Sequence, residues 1–522
     1  MLDFVIRNAN VIDGTGSPAF LADVAIRKGK IAAVGTLPQT DAREVNACGL
    51  TLAPGFIDSH SHGDMMLDLD DTFFQELEQG VTTQAAGMCG ISAAPFSKEH
   101  TDSALEIVQT VVPCDFGNNA GLRFSYEKYL STLKRPLGTN LLLFVGHGTL
   151  RAAVMGMENR RPTPGELTRM QEILHECMEA GAAGISYGLQ YPPGAYADIT
   201  EMCALSSVAA RFGGITSAHV RDEGNKLLES NEEMIAVARA SGSALVISHH
   251  KAIHAPNWGK TAQTIPLLEA ANASGCPVFC DLYPYSASST GLKSRIPQSM
   301  HALGETELLR RIASKEERPA MRNAILMGMT PEERFETTMF GASPSHPEYT
   351  GRMVCEVAYE RMTDPCELVM DVLYDDHLGT NGIYLCMHEE DVERVMRWDH
   401  TMFGSDGLYY KGCSGTHPRA FGSFTRVLGR YVRERHVLTL EEAIRRMTSL
   451  PASVYHLSGK GIIRSGMDAD LVLFNPDTVT DHATFTDFAK RGEGIKTVWL
   501  AGLKVVEDGV FNGRLCGELL LH

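Results

Sequence analysis

Short apolar segments alternate with longer amphipathic ones along the central part of the chain, a pattern that predicts buried strands separated by helices. One helix is well marked, because Thr163 can cap it, Pro164 suits its first position and Glu166 completes a capping box. Eight buried strands are predicted, the first ending at His62 and the others spanning 81–89, 140–147, 184–189, 215–219, 244–249, 277–283 and 401–406.

Alternation of this kind is typical of βα units around a parallel sheet. Eight units favour an α/β fold closed as a (β/α)8 TIM-type barrel, because a long open sheet would leave unpaired edges. We therefore predict a barrel over residues 53–455.

The interval between the last two predicted strands is unusually long. About 115 residues separate Tyr285 from Thr401, whereas the other units take roughly 20 to 55. We expect an insertion before the last barrel strand, over about residues 286–400, that forms either a lid or an accessory or oligomerisation subdomain.

Both ends of the chain have another pattern, in which strand-like segments are separated by turn signals. It occupies residues 1–52 and returns in residues 456–522, beginning with 461–466. Neither end is large enough to bury much surface alone, so we expect the two to pair into one small composite β domain. Two separate edge ribbons are the alternative.

Composition and charge narrow the function classes. The 522-residue chain is 44% hydrophobic and 21% charged, and its net charge of −17 disfavours nucleic acid and anionic membranes as partners. The first residues have no signal-peptide core and no apolar run reaches ~18 residues, so we expect a cytoplasmic protein. Twelve cysteines without a C-x-x-C pair do not indicate a disulfide framework.

Side chains suited to metal binding or proton transfer stand at the ends of the predicted strands. His60 and His62 are one residue apart, so in a strand both imidazoles point to the same face. Four further strands end with such a residue: Cys89, His219, His249 and Asp406. Each alone could be a core thiol, a satisfied core histidine or a turn residue. A parallel barrel gathers its strand ends around one mouth, however, so their joint placement favours a single site.

Imidazole nitrogen and thiolate sulfur are the ligands that Zn²⁺ prefers, and a catalytic zinc has three protein ligands and one free position. Cys89, His219 and His249 would supply such a set. His250 is an alternative to His249, although strand alternation directs it to the opposite face. The pattern thus predicts zinc, with another metal left open.

Several segments together are more specific than any single residue. They are P-G-F-I-D-S-H-S-H-G-D (54–64), G-M-C-G-I-S-A-A-P (87–95), V-G-H-G-T-L-R (145–151), H-V-R-D-E-G (219–224), S-H-H-K (248–251), D-L-Y-P-Y-S-A-S-S-T (281–290) and G-S-D-G (404–407). With these segments the chain resembles the amidohydrolase superfamily, and within it the N-acyl-D-amino-acid deacylase (D-aminoacylase) group, over nearly its whole length. The resemblance implies zinc-dependent hydrolysis of the amide bond of N-acyl-D-amino acids to a carboxylate and a free D-amino acid.

The resemblance also implies roles for the strand-end residues. It implies one tightly held zinc ion, whose ligands are Cys89, His219 and His249. It implies a weaker second metal site, or its remnant, formed by His60, His62 and Asp406. Many members of the superfamily bridge two metals with a modified lysine on strand four, but the predicted strand 184–189 has no lysine. Cys89 is therefore expected to provide the anionic ligand, and one working metal is the simpler expectation.

In the implied reaction, Asp406 takes a proton from the attacking water and delivers it to the leaving amine. His60, His62 or Tyr191 would stabilise the oxyanion, and the sequence leaves that choice open.

A deacylase of this kind also has to hold the α-carboxylate of its substrate, which calls for a cation and hydroxyl donors near the metal. Lys251 follows His249 on the same strand face, and Arg419 is better suited to bidentate pairing. The other substrate-binding candidates are Tyr283 and Ser289 as neutral donors, Arg221, and Arg295 for an acidic substrate side chain. The charged residues could instead be surface charges or salt-bridge partners.

Three alternatives stay open. A cyclic-amide hydrolase of the hydantoinase or dihydropyrimidinase type fits less well, because the strand-four lysine is absent. An aminohydrolase would be expected to have glutamate three residues after His219, where this chain has Asp222. A non-catalytic scaffold on the same barrel would be expected to have lost ligands, and all six are present. A homo-oligomer is compatible with helices such as 440–447.

Overall fold

A computed structural model describes residues 2–109, 123–301, 303–330, 334–409, 415 and 417–522. Its strands are β1 (Phe4–Val11), β2 (Phe20–Arg27), β3 (Lys30–Gly35), β4 (Arg43–Asn46), β5 (Thr51–Pro54), β6 (Phe56–Ser61), β7 (Val81–Ala86), β8 (Asn140–Leu143), β9 (Val145–Gly146), β10 (Gly184–Gly188), β11 (Ile215–His219), β12 (Leu245–Ile247), β13 (Val278–Leu282), β14 (Ser288–Gly291), β15 (Thr338–Phe340), β16 (Asn381–Tyr384), β17 (Thr401–Phe403), β18 (Leu471–Phe474), β19 (Ile495–Leu500), β20 (Leu503–Glu507), β21 (Val510–Phe511) and β22 (Leu519–Leu520).

The α-helices are α1 (Phe74–Leu77), α2 (Thr101–Gln109), α3 (Tyr126–Thr132), α4 (His147–Met155), α5 (Pro164–Glu179), α6 (Ile199–Arg211), α7 (Leu227–Ser241), α8 (Thr261–Ala273), α9 (Gln298–His301), α10 (Glu305–Ala313), α11 (Arg318–Met327), α12 (Val354–Glu360), α13 (Pro365–Asp375), α14 (Glu389–Arg397), α15 (Arg419–Arg426), α16 (Leu440–Met447) and α17 (Ser449–Val454). None of the helices in these described residues is both long enough and apolar enough to span a bilayer.

The central strands form two parallel sheets, one ordered β6-β7-β8 and the other β9-β10-β11-β12-β13-β17. Only Phe144 separates β8 from β9, and its backbone N–H donates to the carbonyl of Ala86 at 2.8 Å. At the far edge Ser61 bridges in parallel to Gly407, and the Asp406 N–H donates to the His60 carbonyl at 2.8 Å. The two sheets therefore adjoin at both edges, and helices alternate with their strands.

Several strands end earlier than the apolar pattern predicts. Strand β7 ends at Ala86, β12 at Ile247 and β17 at Phe403. His147, predicted to close a strand, is the first residue of α4. The predicted strands are too long because the turns after the observed strands are also buried, so burial continues where strand pairing has stopped.

Helix α5 begins as its sequence predicts. The Thr163 hydroxyl accepts from the Glu166 N–H at 3.3 Å, and the Glu166 carboxylate accepts from the Thr163 N–H at 2.7 Å. Met170, Leu174 and Cys177 lie on the buried face of the helix. The predicted capping box is thus confirmed.

Strands from both ends of the chain share one nine-stranded sheet, whose main path is β21-β20-β19-β18-β5-β1-β2-β3. The two ends meet where β18 pairs antiparallel with β5, and Phe4 stacks on Trp499 with ring centroids 6.0 Å apart. Residues 461–466, predicted to be strand-like, form no strand. The last strand, β22, leaves this sheet and pairs in parallel with β8. The division into domains at 52/53 and 455/456 stays a prediction.

The interval before β17 contains a three-stranded antiparallel sheet, ordered β14-β16-β15, and helices α9 to α14. Strand β16 pairs with both β14 and β15, so the insertion has a sheet of its own. Residues of β14 and β16 face the cavity described below, which places the insertion against the candidate site.

Candidate metal centre and active site

Six of the predicted side chains come together at the carboxyl ends of the parallel strands. They form two groups that share Cys89, and within each group the potential ligand atoms lie within 4.8 Å of one another. The first group is His60, His62, Cys89 and Asp406, and the second is Cys89, His219 and His249. All six residues are buried.

Three of these residues have left-handed backbone conformations, with φ of +54° at Cys89, +36° at His249 and +47° at Asp406. Such angles cost a non-glycine residue of order 1–3 kcal/mol and are found preferentially at functional sites. The turn at Cys89 fits only because β10 ends in glycine, since a Cβ on Gly188 would lie 1.9 Å from the Cys89 carbonyl oxygen. The backbone conformation at these positions therefore depends on close packing between the segments that carry the site.

The first group is connected through Asp406. Its Oδ1 lies 3.0 Å from His62 Nε2 and 3.6 Å from His60 Nε2, and its Oδ2 lies 2.7 Å from Arg419 Nη1. Burial opposes ionisation of Asp406, but the Arg419 charge and the His62 hydrogen bond outweigh it and lower the pKa of this carboxyl well below its usual value. Asp406 is accordingly an anion at neutral pH.

The second group centres on the Cys89 thiol. Its Sγ lies 3.3 Å from His249 Nε2 and 3.3 Å from His60 Nε2. Burial opposes ionisation of the thiol, yet the positive charge of His60 and His249 outweighs burial and lowers the pKa of Cys89 well below its usual value. The group thus combines one thiolate with imidazole nitrogens, which is the donor set that zinc prefers.

His250, the alternative to His249, lies outside both groups. Its Nε2 is 2.7 Å from the Thr264 hydroxyl, and burial lowers the pKa of its imidazole to about 4. Strand alternation predicts that His250 points away from the site, and the structure confirms that it does.

Six of the seven predicted substrate-binding residues line one cavity next to the two groups: Tyr191, Lys251, Tyr283, Ser289, Arg295 and Arg419. Lys251 Nζ lies 5.6 Å and Arg419 Cζ lies 4.7 Å from the centroid of the Tyr283 ring. Arg295 lies over the Tyr384 ring at 4.2 Å. The cavity therefore combines three cations with neutral donors beside the candidate metal ligands.

Arg221, the seventh, is not among the residues that line this cavity. Its guanidinium pairs with Glu233 at 3.0 Å and donates to the carbonyls of Ala195 and Ala197 at 2.7 and 2.9 Å. These bonds connect Arg221 to the loop before α6, as a salt-bridge partner would be, and its role in substrate binding stays a prediction.

A family model described as "Amidohydrolase family" matches residues 43–506 of the chain. The chain belongs to the amidohydrolase family. It is 36% identical over 521 residues to a D-aminoacylase of Alcaligenes xylosoxydans xylosoxydans, covering 99% of this chain and 97% of the relative. An N-acyl-D-glutamate deacylase of the same organism is 36% identical over 508 residues, with 97% of this chain and 93% of the relative covered.

A solved structure supports the same grouping. An N-acyl-D-glutamate deacylase from Bordetella bronchiseptica, complexed with zinc and a phosphonate mimic of the reaction's tetrahedral intermediate, superposes with a TM-score of 0.85. The two chains are 34% identical and each is covered to 100%. The predicted resemblance to the D-aminoacylase group is therefore confirmed, as is a mixed α/β fold of the kind these enzymes have.

Three polar residues that the sequence did not single out surround the metal groups of this amidohydrolase. Asp281 Oδ1 lies 3.1 Å from His60 Nδ1 and accepts from the His249 backbone N–H at 2.6 Å. Gln190 Oε1 lies 2.8 Å from His219 Nε2, and Glu223 lies beside His249. Acceptors of this kind orient metal-bound imidazoles. One available signal was that Asp281 is a carboxylate within an otherwise apolar buried strand.

The residues of the second group fit a zinc ion. His219 Nδ1 is buried and has no hydrogen-bond partner among the described protein atoms, whereas Nε2 of the same ring is next to Gln190. The free nitrogen is thus the one available to a metal. Strand β10, Gly184–Gly188, has no lysine, so Cys89 is the residue common to both groups that can supply an anionic ligand.

Proposed function

We propose that this amidohydrolase hydrolyses the amide bond of N-acyl-D-amino acids and releases a carboxylate and a free D-amino acid. The observation that carries the proposal is that Asp406 belongs to a candidate metal-ligand group and lines the same cavity as Lys251, Arg419 and Tyr283. Such a site combines a buried anion for proton transfer with cations for a substrate carboxylate. The similarity of the chain to a D-aminoacylase supports a substrate with a linear amide bond and the D configuration.

The proposed metal is one zinc ion held by Cys89, His219 and His249. Bound there, zinc would lower the pKa of a water molecule and polarise the amide carbonyl of the substrate. His60 and His62, with Asp406, form a weaker second site in this proposal.

Asp406 takes a proton from the attacking water and passes it to the amide nitrogen as the carbon–nitrogen bond breaks. Its contact with Arg419 keeps the carboxylate ionised before the reaction. Tyr191, whose ring lies 5.0 Å from that of His219, is one candidate donor to the oxyanion, and His60 and His62 are the others.

The substrate α-carboxylate is assigned to Lys251 and Arg419, which flank Tyr283, with Ser289 as a further donor. Arg295 is assigned to an acidic substrate side chain. Its Nε is buried without a hydrogen-bond partner among the described protein atoms, and the residue lines the same cavity. We therefore propose N-acyl-D-glutamate or a similar acidic substrate as the preferred one.

The fold proposed for this chemistry is a closed (β/α)8 barrel. The adjoining edges of the two parallel sheets support closure, because the Asp406 N–H binds the His60 carbonyl across one junction. Closure would explain why strand ends from opposite parts of the chain share one site.

One preparation tests the function. We would measure zinc content by elemental analysis and acetate release from the D and L forms of N-acetylglutamate, N-acetylmethionine and N-acetylleucine. The proposal expects about one zinc ion per chain and cleavage of D forms only. Zinc without cleavage of any acyl amino acid would contradict the substrate class, and hydantoin and dihydrouracil would then be tested. Cleavage of L forms at equal rates would contradict the proposed stereochemistry.

A further inference from the structure

Glu223 connects a candidate metal ligand with a candidate substrate-binding residue. This side chain is buried, with 6% of its surface exposed. Its Oε1 lies 3.0 Å from His249 Nδ1 and 2.5 Å from Lys251 Nζ. Lys251 Nζ itself lies 2.6 Å from the same His249 nitrogen. A carboxylate oxygen, an ammonium and an imidazole nitrogen thus form a triangle of short contacts.

The position of one proton decides how this triangle is bonded. An ammonium group donates hydrogen bonds and accepts none, and a neutral imidazole has its proton on only one of its two nitrogens. If His249 Nδ1 has the proton, that proton can go only to Glu223. If Nδ1 has no proton, the nitrogen accepts from Lys251 instead.

The two arrangements have opposite consequences at the other ring nitrogen. His249 Nε2 is the atom that lies 3.3 Å from Cys89 Sγ, in the second metal group. Only the tautomer with its proton on Nδ1 leaves a lone pair on Nε2 for a metal. Lys251 favours the tautomer with its proton on Nε2, which cannot bind a metal through that atom. Glu223 favours the tautomer with its proton on Nδ1, which can.

We propose that Glu223 is a positioning residue that holds His249 in the metal-binding tautomer by accepting hydrogen bonds from both His249 Nδ1 and Lys251. The inference rests on the ligand role given to His249 in the proposed function. It adds that one carboxylate sets both the metal ligand and the cation that faces the substrate. Without Glu223, Lys251 would donate to Nδ1 and the Nε2 proton would block the metal.

Zinc affinity, measured by competition with a chromophoric chelator and without substrate, tests this inference. The variants are Glu223→Leu, Lys251→Met and the double variant, with Glu233→Leu as the matched control. Glu233 is a glutamate that pairs with Arg221 away from the cavity, so its variant should bind zinc like the parent. Folding of each variant is checked by circular dichroism.

Glu223→Leu should weaken zinc binding about 10-fold to 100-fold, the usual effect of removing a residue that orients a metal ligand. Lys251→Met alone should leave zinc binding near the parent value, because Glu223 still accepts from Nδ1. The double variant should recover most of the lost affinity, since no group beside Nδ1 then opposes the metal-binding tautomer. A residue that only fills space would show no such recovery.

Parent-like zinc affinity in Glu223→Leu would overturn the inference, and so would a double variant that binds no better than Glu223→Leu. If Glu223→Leu does not fold, Glu223→Gln takes its place. The single amide oxygen of glutamine accepts fewer hydrogen bonds than the carboxylate does, so zinc binding should weaken. Adding Lys251→Met should again reverse this loss, and the absence of a reversal would overturn the inference. The assay uses no substrate, so its failure is distinguishable from a failure of the deacylase proposal, which concerns cleavage by the zinc-loaded parent.

Discussion

Arg295→Met should change which substrates the enzyme prefers without impairing the reaction itself. The variant keeps an unbranched apolar side chain and removes the guanidinium, whose Cζ lies 4.2 Å from the centroid of the Tyr384 ring in the parent. A hydrogen bond to a charged group contributes about 1.5–3 kcal/mol, and every 1.36 kcal/mol corresponds to about a factor of ten. We therefore expect kcat/KM for N-acetyl-D-glutamate to fall about 10-fold to 150-fold.

The kcat/KM value for N-acetyl-D-methionine should stay constant or rise, because the apolar side chain of this substrate no longer meets the partly buried charge of Arg295. The assay is steady-state acetate release on both substrates, and the decisive quantity is the ratio of the two kcat/KM values. Arg221→Met is the matched control, since Arg221 is bound to Glu233 and does not line the cavity. Equal losses on both substrates in Arg295→Met would refute the assignment of Arg295 to the substrate side chain.

Three further changes test other parts of the site and fold. Asp406→Asn should lower kcat about 100-fold to 10,000-fold with zinc retained, because the proton acceptor is lost; loss of zinc together with activity would instead make Asp406 an essential ligand. Cys89→Ala should abolish tight zinc binding, since the thiol belongs to both metal groups, and full zinc content by elemental analysis would contradict its ligand role. Thr163→Ala should lower the free energy of unfolding in urea by about 1 kcal/mol with unchanged kcat/KM. An equal loss in Thr168→Ala, one turn further along α5, would show that the cap is not the cause.

The elements that local sequence predicts well are those whose stability depends on near neighbours. Helix α5 begins at Pro164 because Thr163 and Glu166 satisfy each other's backbone groups within a single turn. The parallel strands were found from their apolar runs, and β11 ends at His219 as predicted, but several other strands end earlier than the runs predict. Cys89, His249 and Asp406 continue the buried pattern after strand pairing has stopped, and their left-handed backbone angles are held by neighbouring segments.

Candidate substrate-binding residues are harder to recognise in a sequence than candidate metal ligands. A candidate ligand such as His219 is recognisable because a histidine is rare in a buried strand. An arginine is common on surfaces, and only its partners distinguish a site residue from a structural one. Arg419 lies 2.7 Å from Asp406, whereas Arg221 is fixed by Glu233, and neither partner could be chosen without the fold.

The amino-acid sequence by itself determined the family, the six candidate ligands and the absence of a lysine on the fourth parallel strand, because each of these depends on residue identity and order. Only the tertiary structure decided which residues orient them. Asp281 and His60 are far apart along the chain, yet their side chains lie 3.1 Å apart. Hydrogen bonds of this kind form only when the donor–acceptor distance is correct to within a few tenths of an ångström. That distance is set when separate strands pack beside one another.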